Sequence, residues 1–218
     1  MTAYDFAISG QHYLFDVQSF AHTVLAAGGD SFSYGLLDRT TQGVIDDVVS
    51  GTSELGVIMQ TSATADALNA ALAEAGLTFH ELAVSAPLVA LPSSHPLVNA
   101  KSVVLEQLAD YPYVYFDQGE DAPIAFYEEA LAEVPRAKKV ACTDRASLTE
   151  LIMAINGYTI TSGILVGITD GSALTTIPLK TSIQLHLGYI TADNRELTVM
   201  GERFVSHLKR SLDYYAQA

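Results

Sequence analysis

The sequence predicts an α/β fold of two lobes with mixed sheets. Strand-like and helix-like segments alternate along most of the chain, and they form two successive β-α-β-α-β units. Strands that alternate with helices are typical of sheets covered by helices. Two long extended segments, 80–91 and 183–191, suit strands that cross between the units. We therefore expect residues 1–111 and 189–218 in lobe I and residues 112–188 in lobe II, with hinges near Tyr111 and Tyr189.

The first unit reads as three strands, each followed by a helix. Strands are predicted at 6–9, 31–37 and 55–59, and helices at 13–27, at 41–50 and from Thr64 to Gly76. Gly28 and Gly51 suit the ends of the first two helices, because glycine adopts the left-handed backbone that often ends a helix. Helical spacing predicts these inward-facing residues: Val17, Phe20, Ala21, Val24, Leu25, Val44, Ile45, Val48, Val49, Leu68, Ala71 and Leu72.

The second unit follows the first crossing segment, which Pro92 and Pro96 end. A short helix at 105–109 leads to strands at 113–116, 138–142, 158–161, 175–179 and 183–191. Pro123 suits the first turn of a helix that extends to about Glu133. Asp144 can cap a further helix that ends at Gly157, and the last helix covers 200–214.

Composition and charge exclude several classes of protein. With 49% apolar and 17% charged residues, the chain is globular rather than disordered. The net charge of −14 argues against direct binding to DNA or to anionic membranes, since both depend on Lys and Arg. Neither a secretory signal at residues 1–10 nor a bilayer-spanning apolar run is present, and the single cysteine, Cys142, suits a reducing cytoplasm. We interpret Cys142 as a small buried side chain rather than as a reactive thiol.

Motifs of catalysis, cofactor binding and metal binding are absent from the sequence. It contains no GxSxG, GxxxxGK[ST], GxGxxG or HExxH pattern, and its six histidines lack zinc-like spacing. His22 and His207 are interpreted as surface residues. Asp117, Glu120 and Asp121 precede the predicted helix at Pro123, where negative charge is favoured. The pairs Asp46 with Asp47 and Glu128 with Glu129 are expected on solvated helix faces. We therefore predict no enzyme, no cofactor and no metal.

Polar side chains follow most of the predicted strands. In open α/β sheets, ligands bind beyond the carboxyl ends of strands, where helix N-termini offer free N–H groups. The candidate ligand-binding residues at these positions are Ser9, Gln11, His12, Thr41, Gln60, Gln118, Thr143, Arg145 and Thr161. Each residue alone also suits a cap or a turn. As a set that converges on one cleft, they predict a polar binding site.

Two of these residues have alternative interpretations. Arg145 could bind a ligand carboxylate with two hydrogen bonds, or it could pair with Asp117 or Glu120. His12 could donate to a ligand and make that contact pH-sensitive, or it could lie on the surface.

Several segments resemble the effector-binding domain of LysR-type transcriptional regulators. They are Ser9-Gly10-Gln11-His12-Tyr13, Glu54-Leu55-Gly56-Val57-Ile58, His95-Pro96-Leu97, Val104-Leu105-Glu106-Gln107-Leu108, Tyr111-Pro112-Tyr113-Val114, Thr143-Asp144-Arg145-Ala146-Ser147-Leu148 and Asn156-Gly157-Tyr158-Thr159-Ile160. Their order and spacing cover nearly the whole chain. The Gln-His-Tyr and Asn-Gly-Tyr-Thr-Ile segments look most like a branch common in Gram-positive bacteria.

The resemblance implies a type 2 periplasmic-binding-protein fold, in which two lobes enclose a small-molecule effector. It implies effector contacts at Ser9, Gln11, His12 and Thr41 in lobe I, and near Gln118, Thr143, Arg145 and Thr161 in lobe II. It also implies a homodimer or tetramer in the cytoplasm. DNA binding would belong to an N-terminal winged helix-turn-helix that these residues do not contain. Either the chain was truncated or the natural protein lost that part, and we expect truncation.

Two other functions share this fold. A solute-binding protein of a transporter would require export. A dehydratase or deaminase would require an acid–base pair, for which Asp117 with His12 is the only candidate.

Overall fold

The computed structural model describes residues 4–164 and 174–215, which form ten strands and five α-helices. They run β1 (Phe6–Gly10), α1 (Leu14–Ala27), β2 (Tyr34–Asp38), α2 (Thr41–Ser50), β3 (Leu55–Thr61), α3 (Ala65–Glu74), β4 (Leu77–Ser85), β5 (Leu88–Pro92), β6 (Tyr113–Phe116), β7 (Lys139–Cys142), α4 (Arg145–Ile155), β8 (Thr159–Thr161), β9 (Leu174–Pro178), β10 (Leu185–Ala192) and α5 (Val199–Tyr215). Short 3-10 helices lie at Leu105–Leu108 and Ile124–Phe126. The α/β fold with mixed sheets is the predicted one.

The larger sheet has five strands in the order β2-β1-β3-β10-β4. β1 is parallel to both β2 and β3, whereas β10 is antiparallel to β3 and β4. We call these strands, with α1, α2, α3 and α5, the large-sheet side. All residues of β1 and β3 are buried, as expected for central strands covered on both faces.

The remaining strands form two smaller sheets. β5 pairs antiparallel with β8 and β9, and β6 is parallel to β7. A bridge between Tyr113 and Tyr158 connects the two sheets, with the Val114 N–H donating to the Tyr158 carbonyl at 2.8 Å. These strands, α4 and the described segments that connect them, including residues 117–138 between β6 and β7, are the small-sheet side.

The chain passes between the two sides at places other than the predicted hinges. The predicted strand 80–91 is two strands, β4 and β5, which belong to different sheets and are separated by Ala86 and Pro87. The return passage lies between Pro178 and Leu185. Tyr189 pairs with Val57 and His80 inside the large sheet, and Tyr111 lies beyond β5 on the small-sheet side.

The predicted inner face of α1 is largely wrong, although Phe20 packs against the core and stacks on Phe6. Phe15, Asp16, Ser19 and Thr23 are the buried residues, whereas Leu25 is 79% exposed. The hydroxyl of Ser19 donates to the Phe15 carbonyl at 2.6 Å, and that of Thr23 donates to the Ser19 carbonyl at 2.8 Å. Because these hydroxyl groups donate to carbonyls of the same helix, small polar residues can face the protein interior without leaving a buried hydroxyl donor unpaired. Val49 of α2 is likewise exposed, although the other inward residues predicted for α2 are buried.

The predicted helix from Pro123 to Glu133 does not form. A 3-10 turn covers Ile124–Phe126, and Leu131 has a φ of 61°, outside the helical range. Phe126 packs in a core cluster with Leu68 and Leu72 of the large-sheet side. Tertiary contacts thus override the helical spacing in this segment, and the prediction that Asp117, Glu120 and Asp121 precede a helix is wrong as well.

The other helices agree closely with the sequence. Asp144 caps α4 by accepting a hydrogen bond from the Ser147 N–H at 2.8 Å, as predicted. The left-handed residue at its end is Asn156 rather than the predicted Gly157. Within the described ranges, no helix is both long enough and apolar enough to cross a membrane.

Candidate functional site

His12 and Glu128 join the two sides of the molecule. His12 follows β1 on the large-sheet side, and Glu128 lies in the segment after Phe126. The His12 N–H donates to Glu128 Oε2 at 2.9 Å, and His12 Nδ1 lies 2.8 Å from Glu128 Oε1. The two side chains are only 4% and 2% exposed. The expectation of a solvated Glu128 is therefore wrong, and so is a surface position for His12.

The second ring nitrogen of His12 also contacts the small-sheet side. Nε2 lies 3.2 Å from the Thr143 carbonyl, and the ring stacks on Phe116 at 4.0 Å between centroids. Burial lowers the pKa of His12, but the hydrogen bond and charge of Glu128 outweigh burial and raise it above its ordinary value. A protonated imidazole can donate from both nitrogens, which suits this pair of acceptors.

Thr41 makes a second set of bonds between the sides. Its hydroxyl accepts from Gln11 Nε2 and donates to the Phe126 carbonyl at 2.6 Å. Its N–H donates to Gln118 Oε1 at 2.8 Å, and Gln118 Nε2 donates to Glu128 Oε1 at 2.7 Å. Gln11, Thr41 and Gln118 are thus brought together, but their hydrogen bonds are made to protein.

Arg145, at the start of α4, pairs with carboxylates of the large-sheet side. Its Nη2 donates to Asp38 Oδ1 and lies 3.9 Å from Asp16 Oδ1. The predicted pairing of Arg145 with Asp117 or Glu120 is therefore wrong, because Arg145 reaches across the cleft. Asp117 instead accepts from the Gly119 N–H at 3.0 Å in a turn.

Asp16 is a functional candidate that the sequence did not reveal. It is fully buried, and among the described residues its two oxygens lack a hydrogen-bond partner. A side-chain carbon on Gly10 would overlap Asp16 Oδ2, so the glycine makes room for this carboxyl. Burial raises the pKa of Asp16 to about 8, and Arg145 opposes this only in part.

A pocket lies next to these contacts, with an empty volume of about 730 Å³ when its open mouth is included. Residues from both sides line it. Its apolar residues are Leu14, Ala90, Phe116, Leu148, Ile160, Ile164 and Leu174. Its polar and ionisable residues are His12, Tyr13, Glu128, Glu129, Arg145, Thr149, Thr159, Thr161 and Ser162.

Glu129 is another buried carboxylic acid that the sequence placed on a solvated face. Its Oε1 accepts from the Phe116 N–H at 2.8 Å, and among the described residues its Oε2 has no hydrogen-bond partner. Burial, reinforced by the neighbouring charge of Glu128, raises the pKa of Glu129 well above its ordinary value.

The nine predicted site residues divide into three groups. His12, Arg145 and Thr161 line the pocket. Gln11, Thr41, Gln118 and the Thr143 carbonyl take part in the contacts between the sides. Ser9 is buried behind the site and bonds to Asp47 and Ser53, so Asp47 is not a simply solvated residue. Gln60 is buried in β3, with no bond to its Oε1 from any described residue.

Glu128 and Glu129 were missed because their spacing fits a helix, and Asp16 because it was placed outside the apolar face of α1.

Cysteine and metal chemistry have little support in this arrangement. Cys142 is buried, as predicted, and burial raises the pKa of its thiol to about 11. In the described part of the chain, no group of three or more His, Cys, Asp or Glu side chains could hold a metal ion. His12 bonds to Glu128 and Thr143, and Asp117 to Gly119, so the hypothetical acid–base pair of His12 with Asp117 is not assembled.

The chain belongs to the family of LysR substrate-binding domains, whose model matches residues 35–213. This is the regulatory, effector-binding domain of LysR-type transcriptional regulators, and the family is non-enzymatic. Among curated proteins, none matches the chain.

Solved structures show the same fold at low sequence identity. HinK, a LysR family transcriptional regulator from Pseudomonas aeruginosa, is 17% identical with a TM-score of 0.65, over 95% of this chain and 70% of that one. The effector-binding domain of QuiR in complex with shikimate is 13% identical with a TM-score of 0.62, over 97% and 96%. Full-length CbnR, complexed with its target DNA, is 15% identical with a TM-score of 0.60, over 94% and 70%.

Proposed function

We propose that this regulatory domain binds a small-molecule effector in the pocket between its two sides. The observation that carries the proposal is that both sides line this pocket and also bond to each other beside it. The complex of the QuiR domain with shikimate supports small-molecule binding by domains of this fold.

The effector would act by changing how the two sides lie against each other. A ligand shifts a conformational equilibrium only if it binds one state more tightly than the other. The His12–Glu128, Thr41–Gln118 and Arg145–Asp38 contacts all cross between the sides, so a ligand that displaces or reinforces them has such a preference. We propose two lobes that follow the sheets, with passages at Ala86 and Pro87 and between Pro178 and Leu185.

Blocking the pocket tests this assignment. Thr161→Phe would fill part of the pocket, and Thr52→Phe, at an exposed position after α2, is its matched control. A metabolite library is screened by thermal shift against the wild type and both variants. We expect hits that stabilise the wild type and the Thr52 variant but not the Thr161 variant. Hits that stabilise all three equally would place effector binding elsewhere.

The complete regulator would transmit this change to DNA through a winged helix-turn-helix domain. The complex of full-length CbnR with its target DNA supports DNA binding by a whole protein that contains a domain of this fold. We propose that the protein is a cytoplasmic homodimer or tetramer, in which the angle between the lobes sets the spacing of the DNA-binding domains. Analytical ultracentrifugation of this chain tests the oligomer, and a chain that stays monomeric at all concentrations would contradict it.

A further inference from the structure

The pocket contains acceptor capacity for a positively charged ligand, and its own cations are already paired. His12 is bonded to Glu128, and Arg145 is bonded to Asp38 with Asp16 close by. Around the cleft, the carboxylates of Glu128 and Asp38 pair with His12 and Arg145, whereas burial raises the pKa of Asp16 and of Glu129 and favours their neutral forms. A ligand carboxylate would have to compete with these carboxylates for Arg145 or His12.

Glu128 itself has little capacity left for a ligand. It accepts from the His12 N–H, from His12 Nδ1 and from Gln118 Nε2. Arg145 Nε has no hydrogen-bond partner among the described residues, but the guanidinium is paired with Asp38, and Asp16 Oδ1 lies 3.9 Å from its Nη2. A ligand anion would therefore meet these two carboxyl groups at Arg145.

Glu129 is a buried acid that lines the pocket and has one oxygen without a hydrogen-bond partner among the described residues. The residue is 4% exposed, its Oε1 is held by the Phe116 N–H, and no described group bonds to its Oε2. The other charges that act on it are Glu128 and Arg136. Arg136 is committed elsewhere: it lies 4.1 Å from the centroid of the Tyr113 ring and donates to Tyr158 Oη and to two backbone carbonyls.

The rest of the pocket wall is mainly apolar. Leu14, Leu148, Ile160 and Leu174 lie around it, and the Phe116 N–H donates to Glu129 Oε1. A buried polar atom without a partner is costly. Because burial raises the pKa of Glu129, its carboxyl group favours the neutral form in the empty pocket, and an ammonium group beside it would stabilise the ionised form and supply a charge-assisted hydrogen bond. An apolar group next to the ammonium group of the same ligand would cover the hydrophobic pocket wall, and removing this apolar surface from water favours binding.

We propose that the effector of this domain is a small organic amine with an apolar body, whose ammonium group binds Glu129 Oε2. This inference rests on the proposed effector pocket and names the chemical class of its ligand. Because the buried Glu129 is the receptor, the pocket selects amines over carboxylates and over alcohols of the same carbon skeleton.

Two series of probes test this preference. The amines are 2-phenylethylamine and 3-methylbutylamine, and each is compared with the alcohol and the carboxylate of matching skeleton. Affinity is measured by isothermal titration with the whole 218-residue chain. We expect at least one amine to bind about tenfold more tightly than its alcohol, as one charge-assisted bond provides. The carboxylates are expected to bind most weakly.

The variant Glu129→Gln removes the charge and keeps an oxygen for the Phe116 N–H, so the local backbone contact is preserved. We expect it to lose the amine preference, with alcohol binding unchanged. Glu133→Gln, at an exposed position of the same segment, should behave like the wild type. Circular dichroism verifies that both variants are folded.

The alternative outcomes separate the two proposals. Tighter binding of carboxylates or equal binding of amine and alcohol would overturn the amine inference, as would an unchanged preference in Glu129→Gln. If the probes bound the wild type but not Thr161→Phe, the proposed pocket would still be supported. If no probe bound at all, the amine inference alone would be overturned. If every probe bound and Thr161→Phe left the binding unchanged, both the amine inference and the proposed pocket would be contradicted.

Discussion

His12 and Glu128 are 116 residues apart in sequence, yet two hydrogen bonds join them. One uses the backbone N–H of His12 and the other its Nδ1, so each carboxylate oxygen receives a different donor. This pair connects the end of β1 with a segment of the small-sheet side. Its strength therefore contributes to how firmly the two sides are held together.

Replacing Glu128 with glutamine should weaken that connection. The amide keeps one acceptor oxygen, but it loses the charge and presents an NH₂ group to a donor of His12. Leaving a buried donor unpaired costs about 2 kcal/mol, and we expect a loss of this size in the free energy of unfolding measured with urea. Glu133→Gln is the exposed control. Equal stability of the two variants would contradict the importance of the His12–Glu128 contact.

The same contact should be visible in the titration of the histidines. The pKa of His12 is raised, whereas burial and then nearby Arg210 lower that of His207. NMR titration of the imidazole carbons should therefore place His12 above 6.5 and His207 below it. In Glu128→Gln the pKa of His12 should fall, since burial then acts with less opposition. A His12 pKa that does not respond to this substitution would rule out the assigned partner.

Asp16 should make stability fall as the pH rises. Its pKa increases from 3.8 to about 8 on folding, so the stabilisation from its bound proton is complete below 3.8 and is lost as the pH approaches 8. Between these values one such group changes the free energy of unfolding by about 1.4 kcal/mol per pH unit. The free energy of unfolding of Asp16→Asn, measured with urea, should therefore increase relative to that of the wild type between pH 5 and pH 7.

The matched control for Asp16 is Asp46→Asn, at an exposed position on α2. Its pH profile should run parallel to that of the wild type. If Asp16→Asn keeps the full wild-type slope, the buried carboxyl is ionised at little cost, and the expected linkage is absent.

Thr41 provides a test of the second contact between the sides. Valine has nearly the same shape, but Thr41→Val leaves Gln11 Nε2 and the Phe126 carbonyl without their partner. We expect a loss of about 2 kcal/mol in the free energy of unfolding, because both groups are buried. Thr52→Val, on the exposed turn after α2, should change it by much less. If Thr41→Val left the free energy of unfolding unchanged, water would have to replace the hydroxyl.

Cys142 should react slowly with thiol reagents in the native protein. It is buried and its pKa is raised to about 11, and the thiolate is the reactive form. Ellman's reagent should modify it quickly in urea and at least tenfold more slowly in buffer at pH 8, as the smaller thiolate fraction requires. Comparable rates in both conditions would mean that the thiol is accessible in the folded state.

Most of the secondary structure could be predicted because local signals and tertiary packing agree. Asp144 caps α4, and β6 has its predicted bounds. Around Glu128, local sequence signals and tertiary packing disagree. The spacing of Ile124, Tyr127 and Leu131 fits a helix, but Phe126 packs against α3 instead. The apolar spacing of α1 failed for a related reason, since Ser19 and Thr23 satisfy their hydroxyls within the helix.

The site was only partly predictable from strand ends. The position of Arg145 beyond β7 followed from the topology, but its partners Asp38 and Asp16 depend on how the two sides meet. Long-range juxtapositions of this kind have no signature in local sequence. The effector contacts and the Gram-positive branch stay predictions.

The chain leaves the large sheet after β4 and returns to it at β10, and these two strands are hydrogen-bonded neighbours. Leu185 pairs with Ser85 near the point of departure, so the entry and the exit lie next to each other. The intervening segment is thus inserted at two neighbouring points of one sheet, and changes within it can alter the pocket while the pairing of β4 with β10 is left intact.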